Sequence, residues 1–240
     1  MGSSRPGDPA SVQELFEAIA PRYDLLNDLL SFGLHRHWKR QVLARLAPRP
    51  GERFVDLCCG TGDLALLLAA ALRPGGQVVG LDAAAAPLVL ARRRASAQPW
   101  LPVRWLQGDA LATGLPSHAA DGAAMAYGLR NLADPAAGLA ELHRLLRPGG
   151  RAVVLDFNRP DPAAPQAPRI QAFQRAYLQR IVVPVAGLAG LHDHYAYLEA
   201  SLQRFPTGLE QERLARAAGF ASARHIPMAL GTMGRLELVA

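Results

Sequence analysis

Asp56, Asp82 and Asp109 each fall at or just after the end of a strand-like run, and the first is followed by the turn Gly60-Thr61-Gly62 and then by the apolar stretch Leu64 to Leu72. Gly60 and Gly62 let the backbone bend sharply and approach a ligand, and the stretch beyond them is helix-forming throughout. A small molecule belongs on such a turn, at the helix N-terminus, with carboxylates beside it. Its charge decides what it is. Gly60 to Ala65 fits the loose G-x-G-x-x-G/A pattern of dinucleotide sites, but a pyrophosphate would share the turn with Asp56 and Asp63, an unfavourable neighbourhood for a double anion. S-adenosylmethionine fits better. Its sulfonium and ammonium favour acidic neighbours, while its one carboxylate can take the loop N–H groups.

On that reading Asp56, Gly60, Thr61 and Gly62 hold the methionine end, Asp82 accepts the ribose hydroxyls, and Asp109-Ala110 faces the adenine. An isolated Asp after a strand is usually a turn former or a helix cap. Three in successive strands are harder to dismiss, because open α/β sheets bind ligands at the carboxyl ends of their strands. Tyr127-Gly128-Leu129-Arg130-Asn131 follows the fourth strand in the same way, and Tyr127 is expected beside the cofactor.

The elements that place these residues alternate. Strands are predicted at Phe54–Leu57, Gln77–Leu81, Val103–Leu106, Asp121–Ala126 and Ala152–Phe157, with helices over Leu64–Leu72, Pro87–Ala97 and Pro135–Leu146 between them. Alternation of this kind implies a parallel sheet covered on both faces. A helix at Thr207–Ala218 and strands near Ala223–Leu230 and Arg235–Val239, flanking Gly231-Thr232-Met233-Gly234, add a terminal antiparallel hairpin. The pattern is an α/β, Rossmann-like class I methyltransferase fold with seven mostly parallel strands.

Residues 1–11, rich in Gly, Ser and Pro, read as disordered, and 12–240 as one domain. Helices within 12–50, around Leu15–Ile19, Tyr23–Leu30 and His35–Leu46, form either a lid over the ligand turn or a cover for a sheet edge. Residues 158–203 are an insertion with a Pro-rich start, placed to wall the substrate. The net charge of +6 comes from scattered Arg, and Arg92-Arg93-Arg94 on a helix reads as a solvated face, so nucleic acid is not the expected partner. A basic surface also suits the face of an anionic membrane. The two cysteines, Cys58 and Cys59, are neighbours; they offer no disulfide framework and no zinc site, which points to a cytoplasmic setting.

Tyr23-Asp24-Leu25-Leu26-Asn27, Ser31-Phe32-Gly33-Leu34-His35-Arg36-His37-Trp38, the Asp56–Leu64 turn, Tyr127–Asn131, and Tyr195-Ala196-Tyr197-Leu198 followed by Ser201 resemble the ubiquinone/menaquinone C-methyltransferases, the UbiE/MenG family. Cys58-Cys59, Leu155-Asp156-Phe157-Asn158 and Phe205-Pro206-Thr207-Gly208 are similar to its cyanobacterial and plant branch, which methylates the ring of demethylphylloquinone (2-phytyl-1,4-naphthoquinone). The resemblance implies S-adenosylmethionine contacts at Thr61, Asp82, Asp109 and Ala110. It also implies a prenylated naphthoquinol substrate, of the phylloquinone or menaquinone type. Asp82-Ala83-Ala84-Ala85-Ala86-Pro87 departs from the family, which carries polar residues after its acid.

A quinone ring is electron-poor, so the methyl acceptor must be the quinol, best as its phenolate, and a separate upstream reductant is implied. Arg130 is the expected stabiliser of that phenolate, with Asn131 bonding the second oxygen. Alternatively, Arg130 pairs with an acid and Asn131 caps the next helix. Tyr23, His192, His194 and Tyr195 are candidates for proton handling or ring packing. A dinucleotide oxidoreductase and a nucleic-acid methyltransferase are the competing readings. Tyr127–Asn131 lacks the Pro-Pro-aromatic signature of amino-group methylation.

Overall fold

The computed structural model describes residues 8–19, 28, 31, 33–182 and 192–240. Its strands are β1 Arg53–Leu57, β2 Gln77–Asp82, β3 Val103–Gln107, β4 Ala120–Ala126, β5 Leu146–Phe157, β6 Ser222–Met228 and β7 Met233–Val239. They form one seven-stranded sheet in the order β3-β2-β1-β4-β5-β7-β6. Strands β1 to β5 run parallel, while β7 pairs antiparallel with both β5 and β6. The strand order reverses between β1 and β4, and the crevice above their carboxyl ends is where such sheets bind ligands.

The described helices are α1 Pro9–Ile19, α2 Leu34–Leu46, α3 Asp63–Ala71, α4 Ala85–Ser96, α5 Pro135–Leu145, α6 Ala167–Tyr177, α7 His192–Arg204 and α8 Gly208–Ala217. Alternate residues of β5 show why both sheet faces are covered. Ala152 and Val154 pack with Leu139 and Leu142 of α5 and Ala215 of α8, whereas Val153 and Leu155 pack with Val42 and Leu46 of α2 and Leu64 and Leu68 of α3. The period of two sends successive side chains into different layers.

Where boundaries differ from the sequence expectation by two residues or more, the reason is local. Helix α1 begins at Pro9, within the stretch read as disordered, because Asp8 Oδ2 accepts from the Ser11 N–H at 2.9 Å and Oγ at 2.6 Å. An aspartate cap with proline at the first helical position is a strong start signal. Helix α4 begins at Ala85, before Pro87, which sits in its first turn. Strand β5 starts at Leu146 and absorbs Arg147-Pro148-Gly149-Gly150, since Gly149 N–H donates to Ala240 O at 2.7 Å and Ala240 N–H to Gly150 O at 2.9 Å. The final turn is a short 3-10 turn at Ala229–Gly231, leaving Met233 and Gly234 in β7. In the insertion, a π-type turn at Leu178–Val182 follows α6. Of the helix expected at Tyr23–Leu30, all but Asp28 lies outside the described residues.

Gly122 on β4 meets Phe54 of β1 so closely that a Cβ there would stand 2.3 Å from the ring. Phe54 is 1% exposed, so the ring cannot swing into solvent. Gly122→Ala should cost about 2 kcal/mol and lower Tm by roughly 5 °C in a thermal unfolding scan; an unchanged Tm would show that the ring yields.

Candidate active site

Strand β1 carries Asp56 to the crevice and buries it at 1% exposure. Among the described residues no donor meets hydrogen-bond geometry with either oxygen, although the Ala65 amide faces it. Burial pushes its carboxyl up to about 8, with Lys39 pulling against the shift and Asp82 and Asp63 adding to it. Asp63, at the start of α3, is treated differently. Lys39 Nζ of α2 lies 2.8 Å from its Oδ2 and Arg94 of α4 lies 2.6 Å from its Oδ1. Burial works to raise the Asp63 carboxyl, but the two cations outweigh it and hold it below the ordinary value.

The glycine turn between them is pinned from both sides. Arg94 NH1 donates to Thr61 O and Oγ1, both at 3.1 Å, so the third arginine of the cluster serves the site and is not a purely solvated residue. Asp82 Oδ2 accepts from Gly60 N–H at 2.7 Å and Oδ1 from Ala84 N–H at 3.0 Å. Burial raises the Asp82 carboxyl against these amides. Gly62 has φ 85°, and a Cβ there would meet Trp105 at 2.5 Å; the turn therefore requires glycine at this position. Asp82, Asp109 and Ala110 line one cavity with Gly60, and Val12 and Phe16 of α1 close its side. Asp109 Oδ1 also accepts from Leu111 N–H at 2.9 Å.

Helix α1 is attached there through a contact that sequence reading missed. Ala84, at the N-cap position of α4, provides no side-chain cap. Glu17 of α1 supplies one from a distance, Oε1 accepting from Ala85 N–H at 2.6 Å and Oε2 from Ala86 N–H at 2.7 Å.

Tyr127 separates two compartments. It lines the acid-rich crevice and also a second groove of about 1380 Å³ including its open mouth. Its backbone is left-handed, φ 62°, a conformation that a non-glycine residue keeps only when its surroundings enforce it. Here Arg130 NH1 and Asn131 Nδ2 both donate to Tyr127 O at 2.8 Å. Arg130 NH1 lies 2.8 Å from Asp156 Oδ1 as well, and its guanidinium stacks 5.1 Å from the Phe157 ring centroid. Asn131 Oδ1 accepts from the Tyr197 hydroxyl at 3.0 Å.

Arg130 thus pairs with an acid and still lines the groove, together with Trp38, Phe157, Phe173, Tyr177 and Leu198. Asn131 departs from both expectations. It lines the cofactor-side cavity and not the groove, its amide is committed to Tyr127 and Tyr197, and Asp134 caps α5 instead. Tyr23 lies outside the described residues, as do the side chains of His192, His194 and Tyr195, whose backbone belongs to α7. Lys39, Arg94, Asp156 and Tyr197 carry no site role in the sequence reading because nothing in local spacing links them to the turn; the signals available were the resembling segments that contain Asp156 and Tyr197 and the arginine cluster that contains Arg94.

The deep acids and the glycine turn suit a cationic, carboxylate-bearing ligand, whose positive charge would favour the ionised Asp56 and Asp82, whereas a pyrophosphate would find no cation paired with either among the described residues. A model of the ubiE/COQ5 methyltransferase family matches residues 5–235. The chain is 47% identical over 236 residues to the 2-phytyl-1,4-naphtoquinone methyltransferase of Synechococcus elongatus, covering 97% of this chain and 98% of that one. It is 39% identical over 226 residues to the 2-phytyl-1,4-beta-naphthoquinone methyltransferase of Arabidopsis thaliana, covering 92% and 84%. Its fold is shared with a SAM-dependent methyltransferase from Aquifex aeolicus, with a TM-score of 0.61 at 16% identity over 97% of this chain and 98% of that one. Matched by that family model over nearly its whole length, and by full-length relatives well above the level of chance similarity, the chain belongs to the ubiE/COQ5 methyltransferase family.

Proposed function

We propose that this enzyme transfers the methyl group of S-adenosylmethionine to a ring carbon of a reduced, prenylated naphthoquinone. The observation that carries the reading is the meeting, at Tyr127, of an acid-lined cavity with a groove walled by aromatic and aliphatic side chains. The naphthoquinone substrates in the relatives' names support that ring here.

The residues fit the cofactor. Asp56, buried and without a hydrogen-bond donor among the described residues, suits the ammonium; Gly60 and Thr61 line the methionine end; Asp82 faces the ribose and Asp109-Ala110 the adenine. When bound, the cofactor supplies an electrophilic methyl group on a sulfonium. The protein supplies the rest. Trp38 and Phe157 exclude water from the ring, and the Arg130 cation lowers the cost of ionising a ring hydroxyl. Because only the quinol is electron-rich enough to react, a separate reduction must precede this step.

The groove opens through an apolar rim. Leu34 and Phe173 are about half exposed and Leu230 is 85% exposed, and all three line the groove. Among the described residues no helix is long and apolar enough to cross a membrane. The rim rests on an anionic lipid surface, from which the prenyl tail enters, and the charge of +6 favours that contact.

Purified protein given labelled S-adenosylmethionine and a panel of reduced demethylnaphthoquinols should place label in a ring methyl group; an unlabelled quinol product throughout would sink the assignment. Arg130→Ala should lower turnover roughly a hundredfold. It also leaves Asp156 buried without its partner, so calorimetric binding of S-adenosylhomocysteine must accompany the rate; full activity would remove Arg130 from the chemistry.

Asp56 ionises near 3.8 in the unfolded chain but near 8 in the folded one. Between those values the native state holds a proton that the unfolded state has lost, so this group makes stability fall as pH rises. Asp56→Asn should therefore raise the Tm of the ligand-free protein by roughly 5 °C at pH 8, with the gap closing toward pH 4, while S-adenosylhomocysteine affinity drops. A Tm difference independent of pH would contradict the assignment. Leu230→Asp should reduce co-sedimentation with phosphatidylglycerol vesicles about tenfold and leave turnover of a short-tailed quinol intact; undiminished vesicle binding would discard the rim.

A further inference from the structure

We infer that His35, oriented by Asp28, is the base that takes the proton from the ring hydroxyl of the quinol. The inference rests on the substrate reading above. His35 sits in the first turn of α2 and is 3% exposed. Its Nε2 lies 2.8 Å from Asp28 Oδ1, and Arg36 NH2 lies 2.6 Å from the other oxygen of the same carboxylate. An aspartate can only accept from a neutral imidazole, so it fixes the proton on Nε2 and leaves the lone pair on Nδ1. Among the described residues nothing hydrogen-bonds Nδ1.

A buried ring nitrogen without a partner is costly in a purely structural histidine, and its position gives it a use. His35 lines the apolar groove with Tyr127 and Arg130. It also shares the buried face of α2 with Lys39, one turn on, whose Nζ stands 5.9 Å from the Tyr127 ring centroid. Residues four apart on a helix lie side by side, so His35 belongs to the same end of the groove as the boundary with the cofactor cavity. Among the described residues, the charged groups near it are Asp28, with Arg36 on the same carboxylate, Arg130 of the turn after β4 on the groove side, and Lys39, Arg40, Asp63 and Arg94, which share a second cavity with it.

The step balances as follows. The hydroxyl proton passes to Nδ1, and the electron pair left on oxygen drives a new bond from the adjacent ring carbon to the methyl group. The bond from methyl to sulfur breaks with its pair remaining on a neutral thioether. That ring carbon then gives up its own proton, the ring oxygen recovers the proton held by His35, and one proton in all leaves for solvent. Asp28 stabilises the imidazolium while it lasts, in the manner of a base held by a third group.

The test uses His35→Gln, His35→Ala and Asp28→Asn in the full chain, with S-adenosylhomocysteine calorimetry and Tm as controls for folding. His35→Gln should keep cofactor binding and lose about a hundredfold in methylation rate, and added imidazole should restore part of the rate to His35→Ala. Asp28→Asn should lose about tenfold. The deficit of His35→Gln should shrink with ring-halogenated quinols, whose more acidic hydroxyls need the base less. A His35→Gln rate within threefold of the parent, or a deficit that ignores quinol acidity, would overturn the inference. Failure of the parent itself to methylate any quinol would instead overturn the substrate reading.

Discussion

Burying Asp56 where no donor among the described residues meets hydrogen-bond geometry is a constraint that shapes the whole ligand end of the sheet. An isolated carboxylate in such a place is either neutral or in want of a cation. The neighbouring charges leave it in that condition: Lys39 and Arg94 are both engaged by Asp63, and Asp82 spends its oxygens on the amides of Gly60 and Ala84. The protein therefore neutralises one acid with two cations, satisfies a second with backbone, and leaves the third without a hydrogen-bond partner among the described residues. Stability is sacrificed at this position, and on the proposed reading the ammonium of the cofactor would restore it.

A second constraint is the left-handed backbone of Tyr127. Arg130 and Asn131 hold its carbonyl, and Asp156 and Tyr197 hold them in turn. Arg204 of α7 adds a bond to the carbonyl of Arg130 at 3.0 Å. The wall between cofactor and substrate is thus fixed by residues drawn from β4, β5 and the insertion. Arg130 acts in two ways at once, as a tie for the backbone and as a cation on the groove; the structural alternative weighed for it in the sequence does not exclude the functional one.

Most of the sheet was legible because buried parallel strands are short apolar runs between turn signals, and the acids were legible because a strand end is visible in sequence. What escaped reading were contacts across the fold. Lys39 to Asp63, Arg94 to Thr61 and Glu17 to the start of α4 join residues whose local patterns describe only their own helices. The run Ala83-Ala84-Ala85-Ala86 was readable as a loss of polar contacts. Its compensation was not, because a helix that cannot cap itself can borrow a carboxylate from sixty-eight residues away. That loan ties α1 to the cavity it lines through Val12 and Phe16. The start of α1 itself was misread: Gly, Ser and Pro dominate the composition there, but Asp8-Pro9 is a cap and a first helical residue.

His35 escaped for a different reason. It stood inside the resembling segment Ser31–Trp38, yet a histidine on an amphipathic helix has no sequence mark that separates packing from chemistry. Its meaning comes from the tautomer that Asp28 imposes and from the groove it lines. The same logic applies to Arg130 on another wall of that groove, where Asp156 balances the cation. With the imidazole neutral, Asp28 paired to Arg36 and Asp156 paired to Arg130, the groove is nearly neutral toward an uncharged quinol ring, which an apolar pocket can accept. On the proposed reading, once the hydroxyl proton moves to His35, the imidazolium and the Arg130 cation would both face the new phenolate. Charge complementarity then arises during the reaction and not before it, so the stabilisation is spent on the reacting state and not on binding the quinol.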